Sequence, residues 1–273
     1  MTAKKQDLRR SIYLLANEKG GVGKSLSALA LNDWLTLKGE TPAVIQIDRQ
    51  RRLADVIGTG VLTIESDPKA SRVDPEIEFR RFSPVLELIE STAGNAPLVI
   101  DCGAGEVGRF ATWAAMVDLE EDLQEWGIDC HILIPFLSES EAIRQAAWSA
   151  EKLKSALTTS KTHFIENRRD GRLSMARPLS ATTAAVEEHL KEWQQTCQTL
   201  VFPAIPGGSW RLFEAARCRF IDVVDMSTTQ TIATTGLPRA EAKIARGDVS
   251  QWLVRVFEEF DRTLDIGGRN DEP

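Results

Sequence analysis

The chain has 273 residues, of which 42% are hydrophobic and 27% are charged, and its formal net charge is -7. This length allows one large α/β domain or two small ones, and the composition is that of ordinary soluble proteins. The negative net charge argues against a protein that coats nucleic acid with its whole surface, although a local basic face remains possible.

The four cysteines form no CxxC pair and no metal-ligand spacing. Cys102 and Cys130 lie in or beside apolar segments, which favours buried free thiols over metal ligands. The N-terminal sequence MTAKKQDLRR lacks the apolar core of a signal peptide, and no run approaches the roughly 18 apolar residues of a membrane span. We therefore expect a reduced, cytoplasmic protein.

In chain order, short apolar runs alternate with amphipathic stretches, which is typical of βα units and a parallel sheet. The predicted strands are 11–16, 42–48, an edge strand near 61–64, 96–101, 128–135, 162–165 and 200–203. The predicted helices are 25–38, a short one after 49, 138–157, and most of the chain from 182 onward, including 210–220 and 248–265. The strands are nearly continuous apolar runs, as expected when helices cover both faces of a sheet.

These elements predict a single-domain α/β fold with a mostly parallel central sheet flanked by helices. The predicted domain spans residues 11–265, between an N-terminal tail of residues 1–10 and a disordered C-terminal tail of residues 266–273.

The first predicted strand and helix are joined by a glycine-rich stretch that reads KGGVGKS over residues 19–25. Such a turn lets backbone N–H groups approach phosphate oxygens, and the helix N-terminus adds partial positive charge. Lys24 would reach the β- and γ-phosphates of a nucleotide, and the Ser25 hydroxyl would face Mg²⁺. The predicted nucleotide-binding residues here are Gly20, Gly21, Val22, Gly23, Lys24, Ser25 and Leu26.

The strict pattern G-x-x-x-x-G-K-[ST] would place a glycine where this chain has Glu18. The stretch Lys19–Ser25 instead matches every position of K-G-G-x-G-K-[ST], and in this it resembles the deviant Walker A ATPases of the ParA/MinD group. The resemblance implies a P-loop NTPase fold, binding of ATP and Mg²⁺, and a homodimer in the ATP-bound state. It also implies that Lys19 reaches across the dimer interface and neutralises phosphate charge on the partner's nucleotide, as an arginine finger does.

Two acidic residues follow predicted strands. Asp101 ends the run Leu98–Ile100 and matches the Walker B position, where the carboxylate holds Mg²⁺ through water; the turn Gly103–Gly105 would then sense the γ-phosphate. Asp48 matches the first acidic residue of the D-x-D switch pattern, and the second position holds Gln50. A glutamine can orient a water molecule but cannot accept its proton, so slow or partner-stimulated hydrolysis is expected. Lys19, Lys24, Asp48 and Gln50 form the predicted catalytic set.

Base recognition is predicted after the later strands. In the family that the loop resembles, a residue after the corresponding strand contacts the base, and here Asn167 follows the strand 163–166. An ordinary exposed turn remains an alternative for Asn167. The segment Pro203–Gly208 is a second place for the base.

Three outputs remain open for such a switch. Positioning or segregation of DNA or a DNA-associated cargo, as in plasmid partition or conjugation, would involve an adaptor protein and non-specific DNA contacts. The candidate basic residues are Arg211, Arg217, Arg219, Arg239, Lys243 and Arg246, which would otherwise be solvated helix faces. A membrane-associated positioning ATPase is disfavoured, because the amphipathic segment 248–265 carries five acids and two bases. A metabolic or regulatory enzyme of the same superfamily would need substrate residues or cluster cysteines that the sequence does not display.

Overall fold

A computed structural model describes residues 7–66 and 76–264. Seven strands form one sheet in the order β3-β2-β4-β1-β5-β6-β7, and every pairing is parallel. The strands are β1 Ser11–Ala16, β2 Ala43–Ile47, β3 Val61–Ile64, β4 Leu98–Cys102, β5 Asp129–Phe136, β6 Lys161–Asn167 and β7 Gln198–Phe202. The chain is a single-domain α/β protein, and each predicted strand is confirmed, including β3 at the sheet edge.

Helices connect the strands and cover both faces of the sheet. Those between the strands are α1 Lys24–Leu37, α2 Arg52–Ile57, α3 Ile77–Arg80, α4 Ser83–Thr92, α5 Val107–Met116, α6 Leu119–Glu125, α7 Ser140–Ala156, α8 Ala181–Ala185 and α9 Lys191–Thr196, with a π-helical turn Val186–Leu190 joining the last two. After β7 come α10 Trp210–Ala215, α11 Phe220–Asp225, α12 Thr228–Thr235 and α13 Arg239–Thr263.

The central strand β1 is buried on both faces because its alternate side chains enter two separate cores. Ile12 and Leu14 pack on the side of α5 and α7. Tyr13 and Leu15 pack on the side of α1 and α13. This two-sided burial is why the strands have nearly continuous apolar sequences rather than alternating ones.

Two helix predictions were wrong in extent. The segment 210–220 is not one helix, because α10 ends at Ala215 and Arg217 adopts the left-handed conformation with φ 57° before α11 begins at Phe220. The last helix begins at Arg239, well before the predicted 248. The predicted tail segments 1–6 and 266–273 lie outside the described residues.

The helix α13 packs against the sheet, as its charge pattern predicted. Its apolar stripe is buried at Val249, Trp252, Leu253, Val256 and Phe260. Within residues 7–66 and 76–264, no helix has the length and apolar character needed to cross a bilayer.

Polar side chains of α13 also hold the segment that follows β7. Trp252 Nε1 donates to the carbonyl oxygen of Pro203 at 2.7 Å, and Ser209 Oγ donates to a carboxylate oxygen of Asp248, also at 2.7 Å. The same helix reaches β7 itself, where Val201 N donates to Glu259 Oε2 at 2.8 Å. The loop after β7 is therefore fixed by the C-terminal helix.

Two histidines form a buried pair on adjacent strands. The ring nitrogens His131 Nδ1 and His163 Nε2 lie 3.2 Å apart, and the His131 ring stacks on Tyr13 with centroids 5.3 Å apart. His131 is 1% exposed and His163 is 7% exposed. Burial lowers the pKa of His131 to about 3 and that of His163 to about 4, so both rings are neutral at pH 7.

This pair should make the fold acid-sensitive. Below pH 6.5 the unfolded chain binds protons that the native pair rejects, so the free energy of unfolding falls by about 1.4 kcal/mol per pH unit for each histidine until the native pKa is reached. Urea unfolding at pH 7 and pH 5 should show this loss, and the double variant His131→Phe/His163→Leu should lose much less between the two pH values. An equal pH dependence of stability in both proteins would show that the histidine pair is not the cause of the acid sensitivity.

Candidate nucleotide-binding site

The glycine-rich loop lies at the carboxyl end of β1, where it turns into α1. Gly21 and Gly23 adopt positive φ values of 77° and 101°, which glycine tolerates without strain. A Cβ on Gly23 would lie 2.5 Å from the side-chain nitrogen of Asn167. Glycine at position 23 is therefore required both by the backbone conformation and by the close approach of β6.

Asn167 binds the loop with its amide. Its Nδ2 donates to the carbonyl oxygen of Val22 at 3.0 Å, and its Oδ1 accepts from Arg169 N at 3.2 Å. Arg169 adds a second link, from its guanidinium to the carbonyl oxygen of Gly21 at 2.9 Å. Asn167 thus lines the predicted site, but its visible role is to tie the end of β6 to the phosphate loop; the predicted base contact stays a prediction.

The two lysines of the loop point in different directions. Lys24 is 7% exposed, and its ammonium donates to the carbonyl oxygen of Lys19 at 2.9 Å. The Lys19 ammonium instead reaches Glu139 Oε1 at 3.3 Å. The side chain of Val22 packs away from the loop, against Leu137 and Ala142, so only its backbone can serve a ligand.

A cleft of about 870 Å³ opens above the loop. Nine predicted site residues line it: Gly20, Gly21, Gly23, Lys24, Ser25, Leu26, Asp48, Gln50 and Asn167. The segment after β7 also lines it through Pro203, Ala204, Ile205 and Gly208, and its predicted contact with the base stays a prediction. This volume lies within the range of ligand sites that bury most of a nucleotide-sized molecule.

Asp101 lies in β4, fully buried near Ser25 and Lys24, and is not among the described residues that line the cleft. Within the described residues its two carboxylate oxygens have no hydrogen-bond partner of good geometry. Burial raises the pKa of Asp101 to about 6, although the nearby Ser25 hydroxyl and Lys24 ammonium favour its charged form. Burial likewise lowers the pKa of Lys24, against the opposing effect of Asp101 and Asp48.

These groups fit a magnesium nucleotide. The buried Asp101 carboxylate is only partly compensated by the nearby Lys24 ammonium, and its oxygens and the Ser25 hydroxyl beside it are groups that suit Mg²⁺. The buried ammonium of Lys24 and the loop N–H groups would compensate phosphate charge. The described residues contain no cluster of three or more His, Cys, Asp or Glu side chains that could hold a metal ion.

Asp48 and the turn after β4 are in close contact. Gly103 N donates to the carbonyl oxygen of Ile47 at 2.8 Å, and a Cβ on Gly103 would lie 2.7 Å from that oxygen and 2.8 Å from Cγ of Asp48. The Asp48 carboxylate also accepts from Gln50 N at 2.9 Å. The two predicted switch segments therefore touch each other through Gly103.

Four of the six candidate basic residues make contacts within the fold or line the cleft. Arg219 is 2.7 Å from the fully buried carboxylate of Asp33, and Arg217 pairs with Asp55 at 3.4 Å across the cleft. Arg246 donates to the carbonyl oxygen of Met226, and Arg211 lines the cleft. These four arginines have structural or cleft-lining positions, which the spacing of basic residues in the sequence could not distinguish from a solvated face.

Several cleft residues escaped the sequence reasoning. Arg52 and Asp55 line the cleft from α2, and Trp210, Glu214 and Trp252 line it from the opposite side. None belongs to a recognisable motif. Only the position of Arg52, just beyond Asp48 and Gln50, could have suggested it.

No protein-family model and no curated protein sequence matches the chain. Among solved structures, it is similar to the MinD cell division protein of Aquifex aeolicus, with 17% identity, a TM-score of 0.47 and coverage of 89% of this chain and 96% of that one. The MinC:MinD complex of that organism has 16% identity and a TM-score of 0.49, with coverage of 89% of this chain and 95% of that one. An ATP complex of a Cyanothece McdA variant has 14% identity and a TM-score of 0.43, with coverage of 90% of this chain and 97% of that one. At these values the similarity assigns no residue a role.

The fold is that of a P-loop NTPase. The parallel sheet, the glycine-rich loop between β1 and α1, and the buried carboxylate of Asp101 in β4, near Lys24 and Ser25, define this fold.

The close contact at Gly103 yields a stability prediction. Gly103→Ala should lower the free energy of unfolding by about 1–3 kcal/mol, because the methyl group would overlap the backbone of Ile47 and the side chain of Asp48. Gly20→Ala is the matched control, since its Cβ would lie 3.8 Å from the nearest atom, Ala104 Cβ. Urea unfolding measures both variants. Equal stability of the two would show that the turn accommodates a side chain.

Proposed function

We propose that this protein is a Mg²⁺-dependent ATPase whose ATP-bound form is a homodimer and which positions or segregates DNA or a DNA-associated cargo. The observation that carries the ATPase is that buried Lys24, in the glycine-rich loop, and buried Asp101 of β4 lie close enough to interact electrostatically. A magnesium nucleotide would compensate both buried charges, because its phosphates would pair with the ammonium and its Mg²⁺ with the carboxylate.

In this proposal the chain binds ATP through charge and orientation. The loop N–H groups and Lys24 bind the phosphates, while Ser25 and, through water, Asp101 hold Mg²⁺. Bound Mg²⁺ would neutralise charge that develops on the phosphate oxygens. Asp48 and Gln50 orient the attacking water, and Asn167 together with the segment after β7 binds the base.

Lys19 is the residue that would make the ATPase dimeric. Its side chain is 33% exposed, and its ammonium is held by Glu139 in a surface ion pair, which contributes little free energy and can be exchanged for a stronger contact. A triphosphate on a second copy of the chain offers several negative charges. Dimerisation would therefore be favoured only when the partner carries nucleotide.

The cargo is the least constrained part of the proposal. An acidic chain in which Arg219 and Arg246 are bonded within the fold favours delivery through an adaptor protein over strong direct DNA binding. Arg211, Arg217, Arg239 and Lys243 are exposed, and these four side chains are the candidates for non-specific phosphate contacts.

Substitutions of the two lysines should have different effects on nucleotide binding and on dimerisation. Lys24→Ala should weaken binding of ATP and ADP by about 100-fold or more, because it removes a buried cation from the β- and γ-phosphates. Lys19→Ala should bind nucleotide within about threefold of wild type but remain monomeric with a slowly hydrolysed ATP analogue. Calorimetry and light scattering measure the two effects.

The control for these variants is Glu139→Gln, which releases Lys19 without removing it and should retain the dimer. Dimerisation of the Lys19→Ala variant would rule out the proposed role of this lysine in trans. Undiminished nucleotide binding by Lys24→Ala would rule out the site itself.

The purified wild-type protein should hydrolyse ATP slowly. Asp48 is then the only carboxylate of the proposed water-orienting pair, since Gln50 cannot accept a proton. Steady-state phosphate release at saturating ATP and Mg²⁺ should lie well below one per second, without a partner present. A rate of a few per second or faster, typical of ordinary enzymes, is incompatible with this expectation.

A further inference from the structure

Gln46 is a buried amide in the middle of the sheet. It is 0% exposed, and in β2 it pairs in register with Asp101 of β4 and Thr63 of β3. Alternation along β2 puts it on the same face as Val44, which packs in the core beneath α1. A buried carboxamide is unfavourable unless both of its ends form hydrogen bonds.

Both ends of this amide are bonded to the segment that follows β2. Gln46 Oε1 accepts from Leu53 N and Ala54 N, each at 3.1 Å. Gln46 Nε2 donates to the carbonyl oxygen of Gln50. The two accepted bonds satisfy N–H groups in the first turn of α2, for which the preceding residue, Arg51, provides no side-chain cap.

The peptide of Gln50 is consequently held from both sides. Its carbonyl oxygen accepts from Gln46, and its N–H donates to the carboxylate of Asp48 at 2.9 Å. Asp48, Gln50 and Arg52 all line the cleft, whereas Gln46 lies behind them in the sheet. One buried side chain thus fixes the course of the segment that carries the cleft-facing groups.

We propose that Gln46 is a positioning residue for ATP hydrolysis, which holds the 48–54 segment so that Asp48 and Gln50 face the nucleotide. This inference rests on the proposed function for its kinetic consequence. The tether itself is a property of the ligand-free chain and can be tested without nucleotide.

Two variants test separately the hydrogen bonds that Gln46 accepts and the one that it donates, which together form the tether to the 48–54 segment. Gln46→Leu removes all three hydrogen bonds at similar volume. Gln46→Glu keeps an oxygen that accepts from Leu53 and Ala54, but as a carboxylate it cannot donate to Gln50. Thr63→Val is the matched control, since it alters the neighbouring position of the same sheet row, and within the described chain Thr63 Oγ1 has no hydrogen-bond partner.

Amide hydrogen exchange of the ligand-free proteins tests the tether. The amides of Leu53 and Ala54 should exchange about tenfold faster or more in Gln46→Leu than in wild type, and near the wild-type rate in Thr63→Val. The accepted bonds survive in Gln46→Glu, so these two amides should be less affected there. Unchanged exchange in Gln46→Leu would overturn the tether.

Kinetics test the consequence for hydrolysis. In Gln46→Leu, kcat for ATP should fall about tenfold or more while the affinity for ADP, which depends on the loop, stays within about threefold of wild type. In Gln46→Glu, kcat relative to wild type should rise as the pH falls, because the protonated acid can donate to the Gln50 carbonyl. A purely structural residue would not produce this pH-dependent recovery.

The outcomes separate the two claims. Faster exchange together with a normal kcat would overturn the positioning role while leaving the ATPase intact. A parallel loss of kcat and ADP affinity would also overturn it, because the loop itself would then be disturbed. Wild-type protein that binds no nucleotide would overturn the proposed function, and the exchange experiment would still decide whether Gln46 holds the segment.

Discussion

The burial of a cation and an anion near the carboxyl ends of the central strands is the constraint on which this site depends. Lys24 and Asp101 lie on separate elements, α1 and β4, and the parallel order of β1 and β4 brings those elements together. Each charge is costly to bury, and their mutual attraction compensates only part of the desolvation. The rest of the desolvation of Asp101 is not offset by hydrogen bonds of good geometry among the described residues.

The surroundings of this pair are held by buried amides rather than by further charges. Asn167 fixes the glycine-rich loop from β6, and Gln46 fixes the segment after β2. Carboxamides suit this task because they donate and accept at the same time without adding charge to a site that already contains two buried ions. The result is a preorganised cleft, whose lining segments need little rearrangement when a ligand binds.

The seven strands could be predicted from the sequence, whereas the strand order, the helices α5 and α6 and much of the site could not. Hydrophobic runs define the strands because both faces of the sheet are covered, and a glycine-rich loop after a strand has few other uses. The tasks of Gln46, Asn167 and the His131–His163 pair could not be predicted, since each depends on which side chain faces which across the sheet. The same limit applied to Arg219, whose buried partner Asp33 is 186 residues away.

The dependence of the loop after β7 on α13 has a consequence for biosynthesis. The glycine-rich loop and both acidic residues are present once about the first hundred residues have been made, but one wall of the cleft is formed by Pro203–Gly208, which Trp252 and Asp248 hold in position. On the ribosome, the nascent chain carries a complete phosphate loop long before it has a complete cleft. Completion of the cleft therefore requires that α13 has been made and has packed against the sheet.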